Sequence, residues 1–142
     1  MNDLYRNHDK QYLAVDCIIF GFDKMELKLL CIKRDFDPGK GKWSLMGGFL
    51  RSNEGIDQAA ARVLNELTGL SDIFLEQLQA YGDHGRDHEA RVISIAYYAL
   101  IDSVKFDEVI SKDYNAQWFS LNSLPDLIFD HKLMVEKALR RL

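Results

Sequence analysis

The spacing of apolar positions divides the chain into extended and helical stretches. Residues 12–22 are rich in Val, Ile, Phe and Cys, and residues 26–33 repeat that character after the turn-like Asp23-Lys24-Met25. The two runs predict a hairpin of buried strands. Residues 35–42 carry Asp37-Pro38-Gly39 and Gly41 and predict a loop. A short extended piece restarts at residues 43–45, with Gly47-Gly48 expected to stop it. The period then changes: Ile56, Ala60, Val63, Leu64 and Leu67 recur at three- and four-residue steps, which places them on one side of a helix over residues 57–68. Asn53 or Ser52 is expected to cap that helix and Gly69 to end it. Two further strands are predicted over 73–81 and 91–101, separated by a polar loop over 82–89, and a last short strand over 117–120. Met134, Val135, Ala138, Leu139 and Leu142 share a side of a final helix over 131–142, with Asp130 as its cap. The predicted fold class is α/β, a mixed β-sheet sandwiched between α-helices.

Composition narrows the partners. A chain of 142 residues has room for one domain of ordinary size, and no repeat or linker divides it. Eighteen Lys and Arg against 22 Asp and Glu leave a net charge of −4, which argues against a domain built to grip phosphate backbones. No apolar run reads as a signal peptide or a membrane span, so a soluble, cytoplasmic protein with no membrane partner is expected. Cys17 and Cys31 both lie inside apolar runs and read as two reduced core thiols.

The chemistry concentrates between Gly48 and Leu70. Gly48, five residues, Glu54, seven residues, Arg62, then Leu64, Glu66, Gly69 and Leu70 follow one another without a gap. In this spacing the chain resembles the Nudix family, and the resemblance extends over nearly all of residues 1–142, which it implies are a single Nudix domain. The segment from Lys42 to Phe49 looks like the strand before the signature, and Trp118-Phe119 with Leu124-Pro125 looks like its closing segment. The resemblance implies a helix whose converging glutamates hold a Mg²⁺ bridging to a substrate diphosphate, since Mg²⁺ requires hard oxygen ligands in a near-octahedral shell. Here the first and third of those positions are Val63 and Leu67, and only Glu66 remains. An apolar stripe replaces an anionic one. No catalytic residue and no cofactor are therefore expected. An active protein would instead rely on Glu66, Arg62 and Glu54, with Mg²⁺ on Glu66.

Within the family, the chain looks most like the Nudix domain of bacterial transcriptional regulators, where a degenerate signature serves as a ligand sensor ahead of a winged helix-turn-helix. Residues 15–22, 43–49, 91–98 and Phe129-Asp130-His131 carry that likeness. It implies a small effector, either an arabinose-type sugar or an ADP-ribose-type nucleotide, and the loss of carboxylates places the neutral sugar slightly ahead. It also implies a homodimer, and DNA contact only through a C-terminal module outside these residues. A pocket of that kind needs hydroxyl-binding groups and an aromatic wall, for which the candidates are Asp16, Trp43, Phe49, Arg51, Arg91, Tyr97 and His131. The alternative is a divergent Nudix hydrolase that cleaves a nucleoside diphosphate linked to another moiety.

Overall fold

A computed structural model of the protein describes residues 1–111 and 114–142. The long strand β1 (Tyr12–Phe22) organises everything around it. Along one edge it runs parallel to β6 (Val92–Asp102) over its full length, from Tyr12 opposite Val92 to Phe22 opposite Asp102. Along the other edge it meets β2 (Leu27–Lys33) only from Phe20 to Phe22. Beyond that point the hairpin opens, and the two strands of the following segment fill the gap. β3 (Trp43–Ser44) pairs with Ile32 and Lys33 of β2, and β4 (Met46–Phe49) pairs with Ala14 to Cys17 of β1. β5 (Glu76–Tyr81) flanks β6, and β7 (Ala116–Ser120) flanks β2, both antiparallel. One mixed sheet of seven strands results among the described residues.

Residues on β1 alternate between two cores, as the pleat of a strand dictates. Val15, Cys17 and Ile19 pack on α2 (Ile56–Thr68), while Ile18 and Phe20 pack on Met134, Val135 and Ala138 of α4 (His131–Arg141). Helices thus cover both faces, as the apolar patterning predicts. Cys17 and Cys31 fall in opposite cores, so they remain free thiols. Burial pushes the Cys31 thiol up to about 12, and burial with the neighbouring charge of Asp16 raises Cys17 further still. No helix among the described residues is long and apolar enough to cross a membrane.

Two local expectations differ from the structure, and two helices form where the periodicity predicts none. Gly47-Gly48 does not stop the strand but lies inside β4. The pair is needed because both faces are occupied: a Cβ on Gly47 would overlap Asp16 Oδ1, and one on Gly48 would come within 2.9 Å of Val63. The N-cap of α2 is Gly55 rather than Ser52 or Asn53, and its N–H donates to Gln58 Oε1 at 2.7 Å. Gly69 does end α2 in the left-handed region, at φ 77°. Finally, two helices carry no clear periodic signal. α1 (Asp3–Arg6) is a single exposed turn capped by Asn2, and α3 (Ser103–Ser111) starts where Asp102 Oδ1 accepts from the Val104 N–H at 3.0 Å.

Candidate functional site

On the α2 face, the signature residues form a closed ion-pair network. Arg62 reaches across from α2 and donates to both oxygens of Glu54, at 2.6 and 2.8 Å, and to the Phe49 carbonyl at 2.9 Å. Glu54 also accepts from the Arg51 N–H at 2.9 Å. Its hydrogen bonds to Arg62 hold the carboxyl down at about 2, well below the usual range. Glu66 pairs with Arg62 at 3.2 Å and with Arg51 at 3.4 Å. Val63 is 2% exposed and packs beneath Gly48, and Leu67 leans on the same core. These residues do not fit a Mg²⁺ ion: one carboxylate is locked in a bidentate bond, the other is shared by two guanidiniums, and the two remaining positions are hydrocarbon.

The opposite face of the sheet is open. A cavity of about 350 Å³ lies where β1, β4 and the loop after β2 meet the N-terminus of α4. Even-numbered positions of β1 face α4, which places Asp16 on its floor at 5% exposure. Ser94 Oγ donates to Asp16 Oδ2, and His131 Nε2 lies 3.4 Å from Oδ1. The Leu45 N–H donates to His131 Nδ1 at 3.1 Å, so the ring's other nitrogen carries the proton of the neutral form and turns it toward Asp16. Burial lowers the His131 pKa and outweighs the pull of Asp16, which keeps the ring neutral.

Two guanidiniums stand over this floor. Arg86, from the loop before β6, has a side chain only 5% exposed and holds Asp130 with two bonds of 2.7 and 2.9 Å. Burial pulls its pKa down, but the Asp130 carboxylate more than compensates and leaves it raised. Asp130 is at the N-cap position of α4, as expected, yet its side chain caps nothing, because Arg86 takes both oxygens. Arg34 is different. Its Nε donates to the Pro38 carbonyl at 2.7 Å, and its guanidinium lies 4.4 Å from the ring centre of Phe36 and 5.9 Å from that of Phe129. No carboxylate among the described residues comes within ion-pair distance of it. Its pKa is lowered by burial, with Asp16 and Asp87 acting the other way. A half-buried guanidinium with faces stacked and its terminal nitrogens unpaired is suited to planar recognition of an anionic group.

Of the seven residues nominated from the sequence, Asp16, Phe49 and His131 line this cavity. Trp43 packs edge-on against Phe119 at 4.8 Å and lines an adjoining recess that shares Pro38 and Phe129. Arg51 pairs with Glu66 on the other face, Arg91 bonds the Gly82 carbonyl at the surface, and Tyr97 is buried in the α2 core with its hydroxyl on Asp57. Arg34, Phe36, Arg86, Phe129 and Asp130 were not nominated. Phe129 belongs to a segment that carries the regulator likeness, but its meeting with Phe36 around Arg34 leaves no local mark, since residues 34 and 129 meet only in the fold.

A family profile for the NUDIX domain matches residues 10–141. The chain belongs to the Nudix family. It is 33% identical over 134 residues to the ADPR responsive transcriptional repressor NtrR of Acinetobacter baylyi, covering 92% of this chain and 54% of that protein. It therefore spans about half the length of that repressor. It is 34% identical over 137 residues to the ADP-ribose pyrophosphatase of Methanocaldococcus jannaschii, covering 96% and 78% respectively. The NUDIX domain of Shewanella oneidensis NrtR, solved with ADP ribose, superposes with a TM-score of 0.82 at 25% identity over 99% of both chains. The α/β Nudix fold expected from the spacing of Gly48 to Leu70 is thus shown.

Proposed function

We propose that this Nudix domain is a non-catalytic sensor of a transcriptional regulator and that the cavity on the α4 face takes an ADP-ribose-type nucleotide. The observation that carries the reading is the pairing inside one cavity of Arg34, a stacked cation with no carboxylate partner among the described residues, and Asp16, a buried acceptor. The first suits a phosphate, the second a sugar hydroxyl, and the rings of Phe36 and Phe129 suit an apolar or aromatic surface. A neutral arabinose-type sugar would use Asp16 and leave Arg34 idle, which reverses the slight preference drawn from the sequence. The relationship to the ADPR responsive repressor supports the same choice. Contact with DNA belongs, in this reading, to a segment outside the domain.

Hydrolysis is the second reading, favoured by the 34% identity to the ADP-ribose pyrophosphatase. It would require Glu66 to leave Arg62 and Arg51. Calorimetric titration of ADP-ribose and arabinose, paired with a nucleotide-release assay in Mg²⁺ and Mn²⁺, separates the possibilities. Saturable ADP-ribose binding with no release is the expected result. Turnover abolished by Glu66→Gln would establish the hydrolase, and heat only with arabinose would establish the sugar sensor.

A further inference from the structure

Arg86, which lines the cavity, is held in a largely buried ion pair by Asp130. The pair joins the loop before β6 to the first turn of α4, and Arg86 itself lines the cavity beside Asp16 and His131. Two neighbouring donors lack what Asp130 could give them. The N-terminal turn of α4 has no side-chain cap although an aspartate occupies its N-cap position. The Tyr81 hydroxyl is buried without a partner among the described residues, close enough to Asp130 for that charge to add to burial in raising its pKa. Phe129, the residue before Asp130, sits at φ 51°, an unfavourable region for a bulky side chain.

We propose that Arg86 is a second anion subsite of the cavity, held here by Asp130 as an internal substitute for a ligand phosphate, and that a phosphate taking Arg86 transfers Asp130 to the N-terminal turn of α4. The proposal rests on the nucleotide reading and deepens it: Arg34 and Arg86 would each engage one phosphate of a diphosphate. A guanidinium exchanges a carboxylate for a phosphate with its bidentate geometry kept, so Arg86 is never left buried and unpaired. Asp130 also keeps a donor: the His131 and Leu133 N–H groups already bond the Ile128 and Asp130 carbonyls, but the Lys132 N–H has no partner among the described residues, and an N-cap carboxylate that takes it faces the positive end of the helix. Occupancy of the cavity is thereby converted into a change at the start of the last helix, which is the kind of two-state contact that a sensor needs.

The test titrates inorganic pyrophosphate and ADP-ribose into the full chain and into its Asp130→Ser and Asp130→Asn variants. Serine preserves a cap for α4 and asparagine preserves size, so at least one variant is expected to fold. With the competing anion removed, both ligands should bind roughly tenfold tighter, and Arg86→Met added to Asp130→Ser should abolish the gain. In the unsubstituted chain, ligand should slow amide exchange in the first turn of α4, and in Asp130→Ser it should not. Unchanged or weaker pyrophosphate binding in both variants, or no pyrophosphate binding by any of the proteins, would overturn the subsite. Tighter pyrophosphate binding with no ADP-ribose binding would support the subsite and remove the nucleotide reading. ADP-ribose binding with no gain in either variant would do the reverse.

Discussion

The two faces of the sheet hold similar ingredients in opposite states of completion. On the α2 side, Arg62 and Arg51 satisfy Glu54 and Glu66, and Val63 and Leu67 close the remaining positions with hydrocarbon. On the α4 side, Arg86 is satisfied by Asp130, but among the described residues Arg34 has only aromatic faces and a backbone carbonyl, over a carboxylate whose neighbours are Ser94 and His131. A charge cluster becomes scaffold when each charge has its partner, and it becomes a site when one is left over inside a cavity. In this structure the charges of the Nudix signature are paired with one another, whereas on the opposite side of β1 Arg34 has no carboxylate partner among the described residues.

The hardest blow to that contrast is Val63→Glu, which restores a family carboxylate at a position 2% exposed. A carboxylate there has no partner and meets Gly48, so urea unfolding should show a loss of roughly 3–5 kcal/mol. Turnover gained without that loss would mean that α2 can turn its glutamates outward. Next is Arg34→Met, which keeps the stem and removes the unpaired cation. Calorimetry should show ADP-ribose affinity falling by about ten- to a hundredfold, the effect of one charge-assisted phosphate contact, while stability changes little. Unaltered affinity would put the phosphate elsewhere.

Smaller effects are expected where charges are already paired at the surface. Glu66→Gln removes two exposed pairs and should change stability by at most about 1 kcal/mol, with ADP-ribose binding intact. The mildest test is pH. Glu54 has a folded pKa of about 2, below its unfolded value, so its stabilising effect is complete above the ordinary carboxylate range and is lost as pH falls toward 2. The difference in melting temperature between the protein and Glu54→Gln should therefore narrow on acidification from about pH 5 to pH 2. A difference that stays constant would show that Arg62 does not depend on the charge of Glu54.

Much of this was legible in the chain. Helix α2 and its glycine stop, the β1–β2 hairpin, and β6 were readable because hydrogen bonds between near neighbours and the periods of 3.6 and 2 leave local marks. Helix α3 was not, because only Phe106 and Ile110 of its described residues reach the core and Asp102 starts it from the end of a strand. Gly47-Gly48 read as a stop because glycine usually weakens a strand, whereas here the crowding of Asp16 and Val63 from both faces demands it. Asp130 read as a cap because position alone suggests one.

The sequence by itself determined the family, the loss of two metal-facing carboxylates and the acidic balance of the domain. These are properties of residue type and of spacing along the chain. The tertiary structure decided which charges are spent and which are left. Arg34 meets Phe129, Arg86 meets Asp130, and Asp16 meets His131 and Ser94 across long stretches of chain. No local period encodes such pairings, because they follow from the parallel register of β1 with β6 and from the seating of α4 on the even-numbered face of β1.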